Sequence, residues 1–205
     1  MSALEIADII GIISFALSGF LIAVHCKLDI LGVFISAFLT AFGGGMTRDV
    51  LADRTPYVFT TNLPLSLVIA TVLIAMLFIL HKITNLEGKW AFVISDAIGL
   101  SSFAITGAII AIESDFNFLS AVMLAFITAV GGGTIRDVLI NRMPFILVSE
   151  FYATVALIIG SVVYILDAFE LRNIFSLIIV FIFGVVLRVL AYYKKWHLPT
   201  LSKEN

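Results

Sequence analysis

Gly43-Gly44-Gly45-Met46-Thr47-Arg48-Asp49-Val50-Leu51 returns as Gly131-Gly132-Gly133-Thr134-Ile135-Arg136-Asp137-Val138-Leu139, 88 residues further on and without a gap. At the same offset 37–57 falls on 125–145 with thirteen of twenty-one positions identical, among them Arg54 with Arg142 and Pro56 with Pro144. Further upstream 8–19 falls on 96–107 with seven of twelve identical, pairing Asp8 with Asp96 and Gly19 with Gly107. Apolar segments resemble one another by composition alone, but coincident glycines, charges and prolines do not arise that way. The chain is therefore a tandem duplication.

The solvent of this fold follows from composition. Of 205 residues 61% are hydrophobic and 13% charged, and mean hydropathy is +1.17. Soluble domains hold roughly a quarter charged and about 45–50% apolar residues, and a water-exposed surface could not absorb the difference. A net charge of −2 gives no basic field for nucleic acid. Cys26, the only cysteine, excludes an internal disulfide and a multi-cysteine metal site. His25, His81 and His197 stand apart at the ends of apolar runs, so no metal site is expected. Glu5 and Asp8 precede the first basic residue, Lys27, the reverse of a secretory leader, so the first apolar segment reads as a retained membrane helix.

Seven continuous apolar runs, about 5–24, 30–47, 64–80, 90–112, 116–135, 147–166 and 174–193, approach the ~20 residues that a membrane-spanning helix needs. Their lack of alternation argues against a barrel. Each repeat holds three runs, an odd number, so the second copy enters the membrane from the opposite side. The expected fold is an all-α integral membrane protein with seven transmembrane helices: two inverted three-helix repeats (5–80 and 90–166), a seventh helix (174–193) and a tail (194–205). Lys and Arg in the loops set the orientation. Arg48, Arg54 and Arg172 fall on the N-terminal side, against Lys27, Lys82, Lys89, Arg136, Arg142, Arg188, Lys194, Lys195 and Lys203 opposite. This 3:9 split places the N-terminus outside and the C-terminal tail in the cytoplasm of a bacterial-type plasma membrane.

Within the motif, three successive glycines invite a helix break or kink, since each costs roughly 1 kcal/mol relative to alanine. Broken helices in lipid occur where freed backbone meets protein or a water-filled path. Gly43, Gly44, Gly45, Gly131, Gly132 and Gly133 are accordingly candidate pore helix breaks, with close helix packing as the alternative. Arg48-Asp49 and Arg136-Asp137 fall near the far ends of their helices. They read either as snorkelling, self-neutralising pairs or as guards of opposite pore mouths. Adjacent helical residues diverge by about 100°, so Arg and the following Asp are not expected to face one partner. Asp8 and Asp96 read as helix-dipole residues or as cation attractors. Ser18, Thr47, Thr106 and Thr134 complete a possible pore wall, and Pro56 and Pro144 mark turns. No nucleophile–base set, phosphate loop or dinucleotide fingerprint is present, so neither enzymatic activity nor a cofactor is expected.

The duplicated Gly-Gly-Gly-x-x-Arg-Asp-Val-Leu, each copy preceded by Asp-x-x-Gly-x-x-Ser-Phe-Ala-x-[Ser/Thr]-Gly, resembles the prokaryotic trimeric intracellular cation (TRIC) channel family across nearly the whole chain. The resemblance implies seven transmembrane helices, an external N-terminus and a homotrimer in membrane lipid with one pore per subunit. It also implies passage of K⁺ with some Na⁺, and second and fifth helices kinked at the glycine triplets to line the pore. Animal members carry a charged Lys-Glu-Val at one triplet, which this chain lacks, so their lipid and calcium regulation does not carry over. Bacterial sequences of this kind are also labelled glycine transporters, and an inverted repeat fits an alternating-access carrier as well. A membrane scaffold without transport leaves the duplicated motif without a role.

Overall fold

The computed structural model describes residues 2–79, 87–148 and 151–196, and all regular structure within them is helical. Long helices α1 (Ala3–His25), α2 (Ile30–Leu51) and α3 (Leu63–Ile79) come first in the chain. α4 (Glu87–Glu113), α5 (Phe118–Leu139), a single turn α6 (Phe145–Val148) and α7 (Tyr152–Ala168) come next. α8 (Ile174–Tyr193) follows. By length and composition α1, α2, α4, α5 and α8 can cross a membrane, while α3 and α7 are shorter apolar helices.

Local chemistry at the helix ends repeats along with the sequence. Asp29 caps α2 by accepting from the Gly32 amide, and Asn117, 88 residues on, caps α5 by accepting from the Ser120 amide. Left-handed residues close the helices at Lys27 and Asp115, and again at Asp53 and Asn141, two pairs related by the same offset. Pro56 precedes a 3-10 turn (Tyr57–Phe59), and Pro144 precedes α6 at the equivalent place.

Several boundaries depart from the sequence expectation. α2 and α5 extend past the expected ends at 47 and 135, so both Arg-Asp pairs lie inside helices. The sixth run starts at Tyr152 and not at 147, because 145–148 forms its own turn and Phe151 is left-handed ahead of the helix. The expected loop charge Arg188 is buried within α8. Lys82 and Lys203 lie outside the described residues.

α1 and α4 pack along each other at the centre, flanked by α2 and α5, which also cross one another. α3 covers α1, α7 covers α4 and α5, and α8 closes over α4 and α7. Phe15 of α1 and Phe103 of α4 meet edge to face at the middle, 5.2 Å between centroids. Each ring occupies the space a side chain would need at a glycine of the other helix, Gly99 for Phe15 and Gly11 for Phe103. Outward-facing Leu73, Leu77, Phe78, Phe175 and Ile179 are exposed, a surface suited to lipid and not to water.

Candidate functional site

Two buried charge clusters, one per repeat, lie at opposite ends of the α1–α4 pair. In the first, Arg48 near the end of α2 reaches Asp8 of α1 through two parallel hydrogen bonds, Nη1 to Oδ1 at 2.7 Å and Nη2 to Oδ2 at 3.2 Å. Its Nε donates to Oδ1 of Asp49 at 2.9 Å, and its Nη1 also donates to the Thr106 hydroxyl of α4 at 2.8 Å. The other oxygen of Asp49 accepts from the Tyr57 amide at 2.8 Å, so this aspartate joins the arginine to the 3-10 turn.

The second cluster repeats the plan with a looser fit. Arg136 Nε donates to Asp137 Oδ1 at 2.8 Å, and Asp137 Oδ2 accepts from the Phe145 amide at 3.0 Å. Arg136 Nη1 donates to the Ser18 hydroxyl of α1 at 2.8 Å and meets Asp96 Oδ1 of α4 at 3.3 Å. Ser18 in turn donates to Asp96 at 3.0 Å. The guanidinium lies over Phe92 and Phe145, 5.1 and 5.9 Å from their centroids. Its Nη2 and the nearby Tyr152 hydroxyl are buried without a hydrogen-bond partner among the described residues, and Arg188 stacks 5.0 Å from the Tyr152 ring.

Two expectations are corrected here. Neither arginine sits at a solvated interface: Arg48 is 2% exposed and Arg136 0%. A bare cation there would be very costly, and the two carboxylates around each arginine make its burial tenable. Arg and the following Asp bond each other but turn to different further partners, the outer edge of the guanidinium to Asp8 or Asp96 and the second aspartate oxygen to the Tyr57 or Phe145 amide, as their divergence along the helix leads one to expect. Asp8 and Asp96 do not serve a helix dipole. α1 starts with a capping box of Ser2 and Glu5, Asp96 lies nine residues after the start of α4, and both aspartates are buried counter-ions.

The glycine triplets also differ from expectation. α2 and α5 remain helical through Gly43–Gly45 and Gly131–Gly133 with no break, and no described glycine has positive φ. The glycines instead let the two helices touch backbone to backbone. A Cβ on Gly44 would run into the Thr128 carbonyl, and one on Gly132 into the Thr40 carbonyl. Gly131 meets the Gly44 Cα at 3.2 Å on the same basis, whereas Gly45 has nothing closer than 4.0 Å. Inter-helix packing thus outweighs the helix-weakening tendency of glycine.

Ser18, Thr106, Asp8 and Asp96 join the clusters, but Thr47 and Thr134 donate to carbonyls of their own helices, Gly43 and Val130. Beside the first cluster is a cavity of about 20 Å³ lined in part by Asp8, Gly45, Met46, Arg48, Asp49 and Tyr57. That is room for one water-sized guest. Phe92 and Tyr152 went unremarked in the sequence, and Arg188 read only as a loop charge.

The family model described as "Glycine transporter" matches residues 5–82 and 93–168. The UPF0126 membrane protein YvgT of Bacillus subtilis (strain 168) is 38% identical over 201 residues, 98% of this chain and 97% of that protein. Among solved structures, a TRIC cation channel studied for the basis of its conductance is 38% identical, with TM-score 0.83 and 98% of both chains covered. A prokaryotic TRIC channel crystallised in 0.5 M KCl is 36% identical, with TM-score 0.87, covering 95% of this chain and 98% of that one.

Proposed function

The chain belongs to the membrane-protein family whose model is described as "Glycine transporter" and which takes in the TRIC channels, and from that starting point we propose that it is a monovalent cation channel. The reading is of a K⁺-permeable pore that also passes Na⁺, one in each subunit of a homotrimer. The subunit is inserted as seven spans in two inverted repeats, 5–80 and 90–166, followed by the span 174–193. One observation carries the reading: two arginine–aspartate clusters stand at opposite ends of the α1–α4 pair, with the glycine crossing of α2 and α5 alongside. Asp8 and Ser18, which serve different clusters, are ten residues apart on α1, or about 15 Å along its axis.

In this reading Gly43, Gly44, Gly131 and Gly132 form a constriction, narrow because the backbones touch, and Gly45 and Gly133 flank it. Arg48 with Asp8, Asp49 and Thr106 makes one gate, and Arg136 with Asp96, Asp137 and Ser18 makes the other. Conduction requires both guanidiniums to swing aside. The freed carboxylates then offer oxygens to a dehydrating cation, as acidic groups do in cation pores. The TRIC identity of the solved neighbours supports the channel over a carrier. Secondary glycine transport is the competing reading, favoured by the family description and by a path with a gate at each end.

Purified protein in a planar bilayer bathed in KCl separates them. Unitary K⁺ currents that reverse at the K⁺ equilibrium potential are expected. Electrical silence together with concentrative glycine uptake into liposomes would replace the channel by the carrier.

A further inference from the structure

We infer that the two clusters are unequal latches, that the Arg136 latch yields while the Arg48 latch holds, and that Ser18 is the positioning residue of the one that yields. The inference rests on the reading of the clusters as gates and adds their order. The path first becomes wet on the Arg136 side, with the Arg48 side still shut.

The inequality is in the hydrogen bonds. Arg48 grips Asp8 with both ends of its fork, at 2.7 and 3.2 Å, the bidentate geometry that makes guanidinium–carboxylate pairs strong and directional. Arg136 meets Asp96 through one nitrogen at 3.3 Å, and its Nη2 has no hydrogen-bond partner among the described residues.

The hydroxyls differ in the same sense. Thr106 is an accessory: it accepts from Arg48 and turns its own proton to the Phe103 carbonyl of its helix. Ser18 is a bridge: it accepts from Arg136 at 2.8 Å and donates to Asp96 at 3.0 Å, both shorter than the direct ion pair. Removing the Thr106 hydroxyl leaves Arg48 on Asp8. Removing the Ser18 hydroxyl leaves Arg136 with one long contact to Asp96.

The aromatic surroundings complete the difference. Phe92 and Phe145 hold the Arg136 charge by its attraction to their ring faces, which has no fixed bond direction and persists when the guanidinium slides off Asp96. The equivalent positions beside Arg48 are Leu4 and Tyr57, and no such ring contact to Arg48 occurs among the described residues. Arg136 therefore has a second resting place and Arg48 does not.

Reporter cysteines test this at equivalent, partly buried positions two residues before each arginine, Met46→Cys and Thr134→Cys. They are placed in the full chain with Cys26→Ser, and the rate of modification by a water-soluble, positively charged methanethiosulfonate is measured in proteoliposomes. Thr134→Cys is expected to react about tenfold faster than Met46→Cys, the factor that one charge-assisted hydrogen bond is worth. Adding Ser18→Ala speeds Thr134→Cys by about tenfold again and leaves Met46→Cys unchanged, while Ser18→Thr restores the slower rate. Equal rates at the two reporters, or a Ser18→Ala effect on Met46→Cys as large as on Thr134→Cys, would overturn the inference. The reporter pair compared without any change at Ser18 decides the order even if Ser18→Ala fails to fold. The labelling needs no current, so failure of the channel reading shows in the bilayer recording and failure of the latch order shows here.

Discussion

Asp8 and Arg48 are 40 residues apart in the chain and 2.7 Å apart in the fold, and each offsets the charge that the other brings into the interior. Breaking a buried ion pair by removing one partner typically costs about 3–5 kcal/mol, whereas replacing both with apolar groups is often neutral or better. Asp8→Asn is therefore expected to lower stability by about 3–5 kcal/mol in detergent. Asp8→Leu combined with Arg48→Met leaves Asp49 without its cation and should regain only part of that loss in the same thermal or denaturant unfolding measurement. An additive double variant would show that the two residues do not act as a pair. The duplication singled out Asp8, Asp96, Arg48, Arg136, Ser18 and Thr106, but it could not say that they pair with one another. Contacts such as Arg136 with Ser18, 118 residues apart, follow no helical period and leave no local mark. Tyr152 and Arg188 have no duplicated counterpart, so nothing set them apart before folding placed them beside Arg136.

At the scale of elements the lesson concerns glycine. Three in succession read as a break from helix propensity in water, yet α2 and α5 pass through unbroken because their backbones approach more closely than any side chain allows. Propensity is a weak preference that packing overrides, and in lipid close packing is a main source of helix association. The triplet positions should then differ sharply. Gly44→Ala and Gly132→Ala each place a methyl against a carbonyl and should destabilise by about 1–3 kcal/mol, the usual cost of overpacking a well-fitted contact. Gly45→Ala meets nothing within ordinary contact and should be neutral, or stabilise α2 by up to about 1 kcal/mol. Thermal unfolding of the three variants in one detergent checks the ranking. Equal behaviour at Gly44 and Gly45 would refute the close crossing.

For the whole molecule, the loop count changes once Arg48, Arg136 and Arg188 are recognised as buried. Without them the split is two basic residues, Arg54 and Arg172, against seven, the same direction as before. A C-terminal fluorescent-protein fusion should therefore glow, as it does only when it folds in the cytoplasm, and an alkaline phosphatase fused there should stay inactive. A homotrimer should appear in native mass spectrometry at three times 22.3 kDa, and a single-chain mass at all detergent concentrations would remove the trimer from the proposal. The helical membrane character and the 88-residue duplication were legible in the sequence, because hydropathy over ~20 residues and a fixed offset are properties of the linear chain. Which residues meet was decided only by tertiary structure. The packing of α1 against α4 brings Asp8 with Thr106 to one end and Ser18 with Asp96 to the other. There, the need to neutralise a charge with no water around it gathers each arginine's partners from both repeats.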